Sequence, residues 1–215
     1  MRKIRSVFSK GLSIIGFSVL AFVWATQSHA VLIAQDDPAN MVRDLSNQLV
    51  AAMNEQRAEL EASPEKVKEF AGIYVLPYID TARMARYVMG KHWRTATEAQ
   101  QEKFVAAFSN TLIRSYSQSL LKFQVKTVTV RSAQEEKPGR VTVPSTIVQA
   151  DGNETNVSYR AFLDEKSQKW MLYDVSIEGI SMLLNYRKAY DSEFSKVGID
   201  TTIADMEAKN SDFNS

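Results

Sequence analysis

The chain has 215 residues, of which 45% are hydrophobic, 10% aromatic and 24% charged, and none is cysteine. That length allows one large domain or two small ones; the apolar content excludes a disordered chain, and the missing cysteine excludes disulfides, thiolate zinc sites and cysteine nucleophiles. Residues 1–30 carry four basic side chains (Arg2, Lys3, Arg5, Lys10) and no acid, so the net charge of +1 becomes −3 in the remainder, 22 basic groups against 25 acidic, which argues against nucleic acid as a partner.

Met1–Lys10 is a basic segment and Gly11–Thr26 an uncharged, mostly apolar run. Ser28-His29-Ala30 fits the small-x-small pattern of a signal-peptidase site, with cleavage after Ala30. An uncleaved anchor is the alternative, because the uncharged stretch continues to Gln35. Against it, Gln27, Ser28 and His29 interrupt the run, and no basic stop-transfer cluster follows. Export of a cysteine-free chain suits a bacterial periplasm, where this protein folds without disulfides. Residues 31–208 read as one domain and 209–215 as a polar, frayed tail.

Helical spacing of Val42, Leu45, Leu49, Met53 and Leu60 predicts a first amphipathic helix from Pro38. Ser63-Pro64 predicts the start of a second, with serine as cap and Val67, Phe70, Ala71, Tyr74 and Val75 as its apolar stripe. Pro77 ends or kinks it. A short helix is expected over Asp80–Val88, stopped by Gly90. Thr97-x-x-Gln100 is a capping-box pattern that opens the longest helix. Its large apolar residues are Phe104, Val105, Phe108, Leu112, Ile113, Tyr116 and Leu120. At about 100° per residue these spread over roughly half of the circumference. Such an arc fits either a central core helix or a helix that also lines an apolar cavity.

After Lys122 the pattern becomes that of strands. Val125–Arg131, Arg140–Gln149, Glu154–Asp164 and Lys169–Ile177 are rich in Val, Thr, Tyr and Ile and are separated by turn signals such as Pro138-Gly139. Short connections predict an antiparallel meander of four strands. Pro144 marks the second strand as an edge or as bulged. In the third, Val157, Tyr159, Ala161 and Leu163 share one face. In the fourth, Met171, Tyr173, Val175 and Ile177 alternate with Trp170 and Leu172, so both faces carry apolar demand. A last helix is expected from about Glu178 to Ser195, before Gly198. The fold class is α+β, one domain with an antiparallel sheet of about four strands and several helices.

Catalytic constellations are thin. Beyond residue 30 the only histidine is His92, and no Gly-x-Ser-x-Gly elbow accompanies it, so a structural or surface role is expected. One histidine without cysteine leaves no zinc or copper cluster. Glu135-Glu136, Asp164-Glu165 and Asp36-Asp37 fall in polar stretches read as solvated loops. Asp174, inside an apolar strand, fits two roles: a buried general base of a small α+β isomerase or dehydratase, or an acid that fixes the strand–helix corner by hydrogen bonds.

The ordered set of motifs is more specific than any single one. It runs Leu76-Pro77-Tyr78-Ile79-Asp80, Gly90-Lys91-His92-Trp93-Arg94, Thr97-x-x-Gln100 with Phe104-Val105-x-x-Phe108, and Tyr116. It continues with Trp170-x-x-Tyr173-Asp174-Val175, Glu178-Gly179-Ile180-Ser181, Asn185-Tyr186-Arg187 and Gly198-Ile199-Asp200. Behind an export signal, and from about Asp36 to Met206, this series resembles the MlaC family, the toluene-tolerance proteins of the Ttg2 system. The resemblance implies a soluble periplasmic phospholipid carrier without enzymatic activity or cofactor, its bound phospholipid being cargo. It implies two partners: an inner-membrane ABC transporter complex with a membrane-anchored substrate-binding subunit, and an outer-membrane lipoprotein–porin complex. The implied role is to maintain the lipid asymmetry of the outer membrane. The implied fold is a twisted antiparallel sheet wrapped by several helices, with an apolar lipid cavity that holds acyl chains between them. The expected lining is Leu76, Ile79, Tyr87, Val88, Phe104, Phe108, Leu112, Val143, Val157, Tyr159, Trp170 and Tyr173. Arg94, Arg187 and Lys188 are candidates for docking or for phosphate contact.

Overall fold

The computed structural model describes residues 31–122 and 124–213; residues 1–30, expected to be a signal peptide, and the side chain of Leu120 lie outside the described residues. Helix α1 (Pro38–Glu55) starts where the Asp37 carboxylate accepts a hydrogen bond from the Asn40 amide at 2.7 Å and Pro38 takes the first helical position. The single first helix expected from the apolar spacing is two. The backbone leaves helical geometry at Gln56 and resumes as α2 (Arg57–Ala62), which lets Leu60 pack with Met53, Phe70 and Tyr74. Helix α3 (Pro64–Tyr74) begins as predicted, but Ser63 makes no side-chain cap, so the fixed φ of Pro64 sets the start. Pro77 then sits in a 3-10 turn, Leu76–Tyr78. Helix α4 (Thr81–Met89) is capped by Asp80, which accepts from the Arg83 amide at 2.8 Å, and it stops at Gly90, whose φ of +55° favours glycine.

After a 3-10 turn at Gly90–Arg94 comes α5 (Glu98–Lys122). Its capping box forms: Thr97 Oγ1 accepts from the Gln100 amide at 3.2 Å, and Gln100 Oε1 accepts from the Thr97 amide at 3.0 Å. The wide apolar arc of α5 is shared between two cores. Phe104 and Phe108, both fully buried, pack with α4 and the last two helices, while Ile113 turns to the cluster of α1–α3.

Six strands form one antiparallel sheet, two more than expected. They are β1 (Val125–Val130), β2 (Gln134–Lys137), β3 (Arg140–Gln149), β4 (Glu154–Asp164), β5 (Lys169–Ile177) and β6 (Ile180–Ser181). The order is β1-β3-β4-β5-β6, with β2 beside β3 as well. The all-polar Gln-Glu-Glu-Lys of β2 carries no apolar alternation to announce it. Strand β6 arises because Glu178 and Gly179, at φ +48° and +77°, make a two-residue hairpin turn where a helix start was expected. β3 is an interior strand, not an edge. Pro144 is tolerated because it falls where β1, paired to Ser145–Gln149, gives way to β2, paired to Arg140–Thr142. The missing N–H therefore faces a gap between two short partners.

One face of the sheet, built from Val141, Val143, Ala161 and Leu172, is covered by Met41, Val42 and Leu45 of α1 and by Tyr78. The segment after Pro77 is stitched along β5: Ile79 bridges Leu172, and the Asp80 amide donates to the Leu172 carbonyl at 3.0 Å. Helix α6 (Met182–Val197) starts at Ser181, which accepts from the Leu184 amide at 3.0 Å. Gly198 separates it from α7 (Ile199–Phe213). The polar stretch from Lys209 continues α7 instead of fraying, because Asn210 is buried and donates to the Ala107 carbonyl at 2.9 Å. Among the described residues no helix is long and apolar enough to cross a membrane.

Candidate functional site

The second face of the sheet is the unusual one. A β-bulge interrupts the β4–β5 ladder: Arg160 pairs with Asp174 and Ala161 with Leu172, which leaves Tyr173 without a partner. The bulge breaks the simple alternation expected for this strand. Trp170, Leu172 and Val175 pair with Leu163, Ala161 and Tyr159 and so share one face, whereas Asp174 falls beside Arg160 on the other. Tyr173 is re-aimed towards Phe162, with ring centroids 6.1 Å apart.

Between this face, α4 and the start of α6 lies a cavity of about 340 Å³. Its aromatic and aliphatic walls are Phe162 and Tyr173 from the sheet, Tyr87 from α4, and Leu183 and Leu184 from α6. Its charged lining is mostly cationic, with Arg83, Lys137, Arg140 and Arg160 against Glu136 and Asp174. The arginines lie on the rings: Arg83 sits 3.6 Å over Phe162 and Arg140 5.9 Å over Tyr173. Arg160 bonds both oxygens of Glu136 at 3.2 Å. The Glu136 carboxyl is held below its ordinary pKa, first by the Thr142 hydroxyl donating at 2.6 Å and then by Arg160. Glu136 is thus exposed, as expected, but it stands on a strand at the cavity and not in a loop. Burial pushes the Tyr173 phenol up.

Asp174 takes the second of its two expected roles in this geometry. It is 3% exposed, and its oxygens accept from the Ser181 hydroxyl at 2.6 Å and the Leu183 amide at 3.0 Å. It ties the end of β5 to the first turn of α6. His92 is likewise structural, its Nε2 lying 3.0 Å from Asp191 and its ring 5.0 Å from Phe194. Among the described residues no group of three potential metal ligands comes together.

Of the twelve residues expected to line a lipid cavity, two meet at this one and most of the others are distributed over the packed clusters. Tyr87 and Tyr173 line it. Val88, Phe104, Phe108 and Leu112 belong to the core of α4–α7. Ile79, Val143, Tyr159 and Trp170 belong to the core under α1. Val157 is buried and Leu76 half-buried. Arg94 and Arg187 flank α4 together in a neighbouring groove, and Lys188 faces an adjoining hollow with Asp191. Reasoning from the sequence passed over Arg83, Arg140, Arg160, Phe162, Leu183 and Leu184. The Arg160-x-Phe162 alternation was the available signal, since it puts a charge and a ring on one face of an otherwise apolar strand.

A helix-wrapped antiparallel sheet with an aromatic cavity lined by arginines, beside a strand bulge, is the arrangement that these residues build. The model of the family described as MlaC protein matches residues 43–208, and the chain belongs to that family. It is 24% identical over 194 residues to the intermembrane phospholipid transport system binding protein MlaC of Haemophilus influenzae, covering 89% of this chain and 91% of that one. It is 21% identical over 169 residues to toluene tolerance protein ttg2D of Pseudomonas putida, covering 78% of each. Its fold matches the phospholipid-binding protein from Ralstonia solanacearum, solved in complex with a phospholipid. That match has a TM-score of 0.75 at 22% identity and covers 83% of this chain and 99% of the other.

Proposed function

We propose that this protein is a periplasmic phospholipid carrier. In this reading it is released by cleavage after Ala30 and passes lipid between an outer-membrane lipoprotein–porin complex and an inner-membrane ABC transporter with its membrane-anchored subunit. It would thereby maintain outer-membrane lipid asymmetry. The carrying observation is the cavity itself, lined by aromatic and aliphatic side chains together with arginines, and set between the sheet and two helices in a chain of the MlaC family. Burying one methylene stabilises by about 0.8 kcal/mol, so one long acyl chain gains on the order of 10 kcal/mol in an apolar slot. A carrier therefore needs little head-group chemistry to hold its cargo, and it needs a moving part to let go. Acyl chains enter past Tyr87, Phe162 and Tyr173. Deeper lining comes from Val88, Phe104, Phe108 and Leu112 as α4 and α6 part from the sheet. Asp174, with both oxygens committed to the corner, serves the scaffold, and the protein does not act as an enzyme.

Native mass spectrometry of the protein purified from periplasm without detergent, followed by lipid extraction, tests this. Stoichiometric phospholipid is expected. A ligand-free mass that persists after incubation with phospholipid vesicles would overturn the reading.

A further inference from the structure

Alongside the cavity runs a second, open depression of about 510 Å³ on the outer side of α4. Five of its eight lining residues are cations (Arg83, Arg86, Lys91, Arg94 and Arg187) and none is an acid. That is a concentrated positive field on a body whose net charge is −3. Two of the five are neutralised: Arg83 pairs with Asp80 at 3.3 Å and Lys91 with Asp191 at 3.2 Å. Among the described residues Arg86, Arg94 and Arg187 join no ion pair.

Arg187 is also pre-positioned. Its guanidinium lies 4.6 Å over the Tyr87 ring, and its Nη2 would stand 3.2 Å from a Cβ at position 90, where the chain has glycine at φ +55°. The missing side chain at Gly90 therefore leaves room for this arginine. Arg83 and Tyr87 line both the depression and the apolar cavity, so the two are contiguous at that pair.

We propose that this depression binds the phosphate of the cargo lipid, an assignment that rests on the carrier reading. With acyl chains past Tyr87, the glycerol emerges at the shared wall and the phosphodiester reaches Arg187, Arg86 and Arg94. Guanidinium groups suit it, since their planar forks take two phosphate oxygens at once. A phosphodiester stays anionic at cellular pH and offsets the mutual repulsion of the three arginines. The lipid is then recognised by its phosphate as well as by its chains.

The test compares short-chain phosphatidylglycerol with diacylglycerol of the same chains, titrated into the mature protein. Wild type is expected to bind the phospholipid about 10-fold or more tighter, with the gap shrinking as salt rises from about 50 to 500 mM. Arg187→Gln and the exposed Arg94→Gln should each weaken the phospholipid about 10-fold and leave diacylglycerol unchanged. Gly90→Ala should act like Arg187→Gln by displacing that side chain. Equal affinity for the two lipids, or equal losses for both in the variants, would overturn the phosphate site and leave the carrier standing. Binding of neither lipid overturns both readings. Inorganic phosphate, titrated alone, should bind far more weakly than the phospholipid; comparable affinity would overturn the lipid as the source of the phosphate.

Discussion

Asp174 shows how a carboxylate inside an apolar strand can hold a corner of the fold. A carboxylate inside an apolar strand is costly unless its oxygens find donors. Here they find the Ser181 hydroxyl and the Leu183 amide, which also orient the first turn of α6. Ser181 completes the corner by accepting from Leu184. Asp174→Asn should cost about 1.5–3 kcal/mol of stability, the range for hydrogen bonds to a charged group. Urea unfolding measures that loss. Phospholipid binding by the folded fraction should persist; its disappearance in a folded variant would place Asp174 in the binding machinery. Tyr173 makes the complementary point. The residue was legible as a site candidate, but its direction depends on the unpaired position that the bulge creates, which no side-chain alternation announces.

At the scale of elements, α5 and α6 meet through an aromatic column. Phe104 and Phe108 stack at 5.8 Å, and Tyr186, Tyr190 and Phe194 meet them edge-on between 5.3 and 6.4 Å. Edge-to-face geometry adds to the area buried and fixes the two helices in register. Burial, assisted by Tyr186, also pushes the Tyr116 phenol up. Phe108→Ala should destabilise by about 3–5 kcal/mol, as expected for an aromatic ring removed from a packed core. Chemical denaturation should show a lower midpoint with an unchanged slope. Elements with caps and proline punctuation were readable because those signals act within one turn: Asp80, Gly90 and the Thr97–Gln100 box lie where expected. β2 and β6 were not readable, since each is a short polar or turn-bounded partner defined by the strand it meets.

For the whole molecule, the proposed function asks how a filled interior would take up lipid. The cavity of about 340 Å³ is continuous with cores whose side chains already pack on one another. In the proposed carrier, uptake would need α4 and α6 to move against the sheet, a hinge-type opening. Absence of cysteine makes this easy to probe. Lys137→Cys with Leu184→Cys, bridged by a reducible thiol cross-linker, ties β2 to α6 across the cavity. The bridged protein should lose lipid uptake from vesicles and regain it on reduction. Undiminished uptake while bridged would mean that the cargo enters elsewhere.

The sequence by itself determined the class of the protein. Helical half, strand half, capping residues and an ordered motif series are local in the chain, and local spacing records them. The family reading rests on that series, and the match over residues 43–208 agrees with it. Tertiary structure decided where the cavity lies and what rims it. Arg83, Arg140 and Arg160 come from α4, β3 and β4 and converge only through strand register and helix docking, and Tyr173 joins them only through a bulge. A strand's alternation tells which residues share a face; what covers that face is set by elements far away in the chain, because packing depends on pairwise fit that no single segment encodes.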